Sequence, residues 1–312
     1  MAQTVQTPRF WINELQFCNF NNYNPIDNQS YNSIFNTLPV QLKEPTLITQ
    51  DLIIDNNIYD EYHANFKFPY QLNNPFIAVL GHKNLDDFGI IGDVDHNNPV
   101  SINFENGSIN DGWSLKTTGN TIAQIKMSST TNLEIGSIII GSYFDTPHSP
   151  DLSLKINYDY SGVKKTTTRG GSTLINTQYY KNPKWGNDLG AWEIARENNQ
   201  TYTIYNNLSK SGSRIWDLSF SYFNDSDIFP DTLNLTNMNS SNFDGGLNTG
   251  TDFYGQVIHR TAGGALPFIF SPDGSSTDLD NFAICTFDQN SFQFDQVAPA
   301  VYNVSLKIRE IW

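Results

Sequence analysis

Short runs in which every second residue is apolar recur along most of this chain. The clearest is VYNVSLKIREIW, where Tyr302, Val304, Leu306 and Ile308 fall on one side and Asn303, Ser305, Lys307 and Arg309 on the other. A period of two marks a half-buried strand, so the pattern predicts a strand running into Trp312, packed in the core or against a neighbouring copy. SGSRIWDLSFSYF repeats the alternation with Trp216, Leu218, Phe220 and Tyr222 in register. DLSLKINYDYSGVKKTTTRGG puts Leu152, Leu154, Ile156, Tyr158 and Tyr160 on one face, which predicts a hairpin turning at Ser161 and Gly162 and returning through a threonine-rich strand. FAICTFDQNSFQFDQVA predicts a further hairpin, turning at Asp288 to Asn290.

Between residues 51 and 150 the same idiom gives HANFKFPYQL, NPFIAVLGHKN, PVSINFENG, DGWSLKTT, TIAQIKMSS and EIGSIIIGSYF, separated by Gly, Asn, Asp or Pro. Strands at this spacing with no helix between them predict an antiparallel sandwich or jelly roll. RFWINELQF, within the first fifty residues, reads as a strand or an irregular helix that docks on something formed later in the chain. The one helical pattern is TDFYGQVIHRTAGG: Phe253, Val257, Ile258 and Thr261 share a face, Thr251 can cap the start and Gly263 can supply the left-handed stop. The expected fold class is therefore all-β: a jelly-roll or β-sandwich module at 51–150, and a β-rich domain with one short helix at 151–312, completed by the C-terminal strand. Residues 1–50 form an arm packing on that second domain.

Composition narrows the partners. Eighteen Lys and Arg stand against 32 Asp and Glu, a formal net charge of -14, so a phosphate backbone would be repelled by most of the surface. The densest cationic stretch, SGVKKTTTRGG, reads as a hairpin rather than a basic patch, and no nucleic-acid partner is expected. MAQTVQTPRF lacks the apolar core of a secretory signal, and the most apolar run, IGSIIIGSYF, is too short to span a bilayer. The expectation is a soluble, unprocessed chain with no membrane insertion. Cys18 and Cys285 allow one bridge at most, and Cys285 in FAICTFD reads as a buried thiol behaving as a small hydrophobe.

Candidate chemistry is sparse. Asp93, Asp95 and Asn97 in GDVDHNN have the alternate spacing of a calcium loop, but a helix-loop-helix site needs glycine sixth and a carboxylate twelfth, and those places hold Asn98 and Phe104, with Glu105 one position late. A structural turn is the simpler reading. Asp86, Asp87, Asp217 and Asp227 could supply a glycosidase acid pair, yet carboxylates are so numerous here that none stands out, and Asp217 falls on a solvated strand face. His63, His82, His96, His148 and His259 serve no nucleophile elbow, catalytic cysteine or H-E-x-x-H spacing. His82 and His148 follow strands directly, where an imidazole commonly bonds to loop backbone. RTAGG and TRGGS open no helix after a strand, which argues against phosphate cradling. No catalytic, cofactor or metal residue is assigned.

EIGSIIIGSYFDTPHSPDLSLKINYDYSGVKKTTTRGG, WGNDLGAWEI, SRIWDLSFSYFNDSDIFP, LPFIFSPD and FAICTFDQNSFQFDQVAPAVYNVSLKIREIW together resemble virion structural proteins of tailed bacteriophages, particularly tail-associated ones. NPFIAVLGHKN is similar to the strand and turn of galactose-binding-like jelly rolls embedded in phage tail components. The resemblance implies a non-enzymatic virion part without cofactors: a tail or tail-tip/adaptor protein in a homo-oligomeric ring, with copies of itself and other virion proteins as partners. A capsid decoration protein is a further expectation of that kind. Trp113 in NDGWSL and Trp185 in NPKWGND keep open a lectin-like, carbohydrate-binding module for a host surface glycan. A polysaccharide-degrading enzyme is the third class.

Overall fold

The computed structural model describes residues 5–25, 52–54, 62–65, 68–70, 72–82, 87–92, 100–103, 112–117, 124–128, 133–135, 137–160, 163–177, 184–185, 189–190, 213–235, 245–276 and 281–311. The first strands are β1 (Arg9–Asn13), β2 (Leu52–Ile54), β3 (Tyr62–Asn65), β4 (Pro75–His82), β5 (Asp87–Gly92), β6 (Val100–Asn103), β7 (Gly112–Thr117), β8 (Gln124–Ser128), β9 (Leu133–Ile135) and β10 (Ser137–Asp145). There follow β11 (Lys155–Asp159), β12 (Val163–Thr167), β13 (Thr173–Thr177), β14 (Lys184–Trp185), β15 (Leu189–Gly190), β16 (Ser213–Asn224), β17 (Phe268–Ser271), β18 (Ala283–Phe287), β19 (Phe294–Ala298) and β20 (Val301–Glu310). Among the described residues the helices are α1 (Glu14–Phe20), α2 (Asp225–Ile228) and a π-helix (Tyr254–His259). With 46% strand and 12% helix, the all-β expectation holds.

Ten strands make one antiparallel sheet in the order β11-β16-β20-β18-β17-β1-β10-β4-β7, with β19 pairing β20 beyond that path. β1 sits near its centre, between β10 and β17: Phe10 lies opposite Phe144 on one side and Phe270 on the other. A strand covered on both faces shows no alternation, and the whole of Phe10–Asn13 is buried. Phe10 and Ile12 point into one core with Trp216, Phe253, Phe268 and Leu306. Trp11 points into a second core on the opposite face, with Phe76, Ile139, Ile269 and Ile284. This is why RFWINELQF resisted assignment by period: its first part is a doubly buried strand and its second part is α1. Asn13 makes the change of direction, its side chain accepting a hydrogen bond from the Gln16 amide at 3.2 Å.

The stretch from 51 to 150 divides its strands. β4, β7 and β10 belong to the large sheet, β3-β8-β5-β6 form a four-stranded sheet, and β2 pairs β9. This order leaves the expected jelly roll without confirmation. The strand Asp87–Gly92 was missed in the sequence because DFGIIG carries two glycines in six positions.

Several pairings differ from those expected. β11 pairs β16, with Ile156 opposite Trp216, and β12 pairs β13 instead of returning along β11. Alternation says which face of a strand is apolar, not which strand will lie beside it. Similarly, β18 and β19 do not form a hairpin with each other: both pair β20, Phe287 opposite Ile308 and Phe294 opposite Val304. A ten-residue strand has room for two five-residue partners end to end, and the tight turn falls at Pro299 and Ala300, where Ala300 adopts φ +55°. In β16 the register shifts between Phe220 and Phe223; Tyr222 takes φ +64° and turns 74% exposed, while Phe223 takes the buried place. The bulge adds one residue to the strand and so reverses the expected facing of Tyr222. The final strand keeps its predicted facing, with Val304, Leu306 and Ile308 buried. Trp312 lies outside the described residues.

Candidate functional site

The predicted helix is present as the π-helix, and its ends explain its form. Asp252, not Thr251, caps it: Asp252 Oδ1 accepts from the Gly255 amide at 2.7 Å. The stop is the expected one, with Gly263 at φ +69° and its amide donating to the Ile258 carbonyl at 2.8 Å. Asp252, Gln256 and Arg260 recur every fourth residue and form one polar row on an otherwise apolar helix. That row enters a buried cluster around Glu14, the first residue of α1.

Glu14 and Arg260 are both inaccessible to solvent, and the Arg260 guanidinium donates to Glu14 Oε1. Tyr70 Oη donates to Glu14 Oε2 at 2.7 Å, Ser142 Oγ donates to Glu14 Oε1 at 2.8 Å, and Arg260 also donates to the Asn248 carbonyl at 2.7 Å. The guanidinium stacks 4.2 Å over the Tyr70 ring. Burial opposes the Arg260 charge, but Glu14 and Tyr70 outweigh it and hold the group above its ordinary value. Burial, reinforced by Glu14, pushes Tyr70 far up, so the phenol stays protonated and remains a donor. The same two causes push the Cys18 thiol up to about 12, which leaves no thiolate at neutral pH. The cluster therefore ties the N-terminal strand and helix to the π-helix; it contains an acid, a base and a thiol but no activated nucleophile.

Open depressions lie at two places among the described residues. One of about 340 Å³ runs between Asn73, Phe229, Asp231, Gly245 and Asp252. Asp252 Oδ2 is buried there with no hydrogen-bond partner, and burial raises the Asp252 carboxyl above the usual range. The other, about 460 Å³, lies on the polar face of the sheet among Lys155, Asp217, Ser305 and Lys307. Two carboxylates, Asp231 and Asp252, line the first depression, and the Asp231 charge adds to the rise of the Asp252 carboxyl.

The most distinctive surface feature is the β12–β13 hairpin, a two-stranded sheet of its own. Its turn is closed by the Thr168 amide donating to the Ser172 carbonyl at 2.8 Å, with Gly171 at φ +84°. Leu174 and Ile175, neighbours on opposite faces, are 60% and 63% exposed, so neither face of the hairpin is covered. It carries Lys164, Lys165 and Arg169 and no acidic residue. None of the three is in an ion pair among the described residues.

The other sequence candidates do not converge. Asp217 lies on β16 and accepts from Asn157 Nδ2 at 3.5 Å, whereas Asp227 lies on α2 and accepts from Asn224 Nδ2 at 2.9 Å. His148 Nδ1 donates to the Ser149 carbonyl at 2.8 Å, the loop-backbone bond expected of it, and its ring packs 4.8 Å from Phe223. His259 packs edge-on against Phe17, and burial lowers its pKa. Both cysteines are buried and unbridged. His63, His82 and Asp87 fall on β3, β4 and β5; Trp113 and Trp185 fall on β7 and β14, each within one residue of a strand end. Asp86, Asp93, Asp95, His96, Asn97, Asn98, Phe104 and Glu105 lie outside the described residues. Among the described residues no group of three His, Cys, Asp or Glu is placed to hold a metal ion. In comparison with known proteins, no family model, no curated protein and no solved structure matches this chain.

Proposed function

We propose that this chain is a non-enzymatic structural subunit of a tailed-bacteriophage virion, a tail or tail-tip/adaptor protein that assembles with copies of itself into a ring. The observation that carries the assembly reading is the β12–β13 arm, uncovered on both faces and exposing Leu174 and Ile175. A two-stranded hairpin is marginal by itself in water and gains stability from a third strand or a packed face. An arm of this kind suits strand exchange between subunits, and a ring multiplies such weak contacts. The placement in a virion rests on the resemblance of the strand and turn motifs from residue 76 onward to tail-associated structural proteins. In density-gradient-purified particles of the virus that encodes it, the chain is expected at a fixed stoichiometry to the other virion proteins. Its absence from washed particles would overturn the virion placement.

A further inference from the structure

We propose that the β12 edge of the arm adds as a strand to the free edge of β19 in a second copy of this chain. The inference rests on the reading that copies assemble, and it names the surface they use. Among the described residues β19 pairs β20 on one side only, and Asp295, Gln296, Val297 and Ala298 are exposed along it. An edge strand presents unpaired amides and carbonyls at the spacing another strand needs. β12 has the same length, five residues, and, among the described residues, one unpaired edge of its own.

Charge selects the partner. Lys164, Lys165 and Arg169 give the arm a positive sign on a chain of net charge -14. The β19 edge is negative: Asp295 lies on the strand, and Asp225 and Asp227 open α2, whose Asp225 amide donates to the Ala300 carbonyl at the β19–β20 turn, 2.9 Å away. No Lys or Arg occurs from Ile215 to Leu235 or from Asp288 to Leu306, the stretches that form this end of the sheet. The arm's cations find no carboxylate in their own chain among the described residues, while every copy carries both the basic arm and the acidic edge. Such a head-to-tail contact closes into a ring when the rotation between subunits divides the circle. Val297, 48% exposed, offers an apolar patch on the same strand.

The test uses the full chain. Lys164→Glu with Lys165→Glu is expected to weaken self-association at least tenfold in sedimentation equilibrium, and adding Asp295→Lys to that variant is expected to recover most of it. All three positions are exposed, so the variants keep their circular dichroism and melting temperature. Carbodiimide coupling of mixed isotopically light and heavy protein should join Lys164 or Lys165 of one copy to Asp225, Asp227 or Asp295 of another. An oligomer that is indifferent to the reversals, or whose inter-copy links map elsewhere, overturns this docking and leaves the assembly reading standing. A chain that stays monomeric and binds only a different virion protein overturns both.

Discussion

Arg260 and Glu14 show what a single residue contributes here. Each is buried beyond reach of water, so removing one partner strands the other charge in the core. Arg260→Met is expected to cost about 3–5 kcal/mol by urea unfolding, and Glu14→Met with Arg260→Met together less than either change alone, because no unpaired charge remains. Asp252 gives a prediction of opposite sign. Its folded-state pKa is raised by burial, so folding favours the protonated form, and its contribution is largest below the unfolded carboxylate value and declines as pH rises through the folded one. Asp252→Asn keeps an oxygen for the Gly255 amide without the buried charge. The variant should melt no lower than the parent at pH 7, and its advantage should vanish near pH 3; a loss at pH 7 would contradict the assignment. The polar row of Asp252, Gln256 and Arg260 was visible in the sequence, but its target was not, because Glu14 is 246 residues away from Arg260 and looks like an ordinary first-turn acid.

At the scale of elements, β1 and β20 hold the large sheet together. Gly141 marks the closest approach: a Cβ there would stand 1.7 Å from the Ile12 carbonyl oxygen, where β1 hands over to α1. Backbone cannot yield as a side-chain tip can, so Gly141→Ala should cost at least about 1–3 kcal/mol, read as a lower urea midpoint. Val304, Leu306 and Ile308 of β20 are each buried, and each is worth roughly 1.5–3 kcal/mol of burial. Truncation before Val304 should therefore give insoluble or unfolded protein; a soluble product with cooperative melting would show that β20 is dispensable. The alternating apolar positions of β20 and of β16 as far as Phe220 were legible because one face of each is polar. β1 was not, since both of its faces are covered, and at the bulge the alternation breaks on the adjacent aromatics Tyr222 and Phe223, where pattern alone does not say which of the two is buried. Pairing partners were illegible for a different reason: β18 and β19 match β20 and each other equally well by pattern, and strand length decided between them.

For the whole molecule, the sign of the charge and its one exception matter most. A net charge of -14 keeps copies apart at long range, and the basic hairpin concentrates the opposite sign at one place. The strand was readable in VKKTTT; its partner was not, because the pattern pointed to β11 across a turn at Ser161 and Gly162, whereas β12 pairs β13 and stands apart from the large sheet. Attraction between arm and acidic edge is screened by salt, with a Debye length of about 10 Å at 0.1 M and about 3 Å at 1 M. Assembly should accordingly weaken as sodium chloride rises, while the melting temperature of the subunit, set by its two buried cores, changes little. The measurement that bears most directly on the central claim is sedimentation velocity of the full chain beside a version in which residues 163–177 are replaced by a short Gly-Ser linker. The account predicts one closed oligomer for the full chain and a folded monomer for the other, with equal melting temperatures; a full chain that sediments as a monomer up to its solubility limit would contradict it.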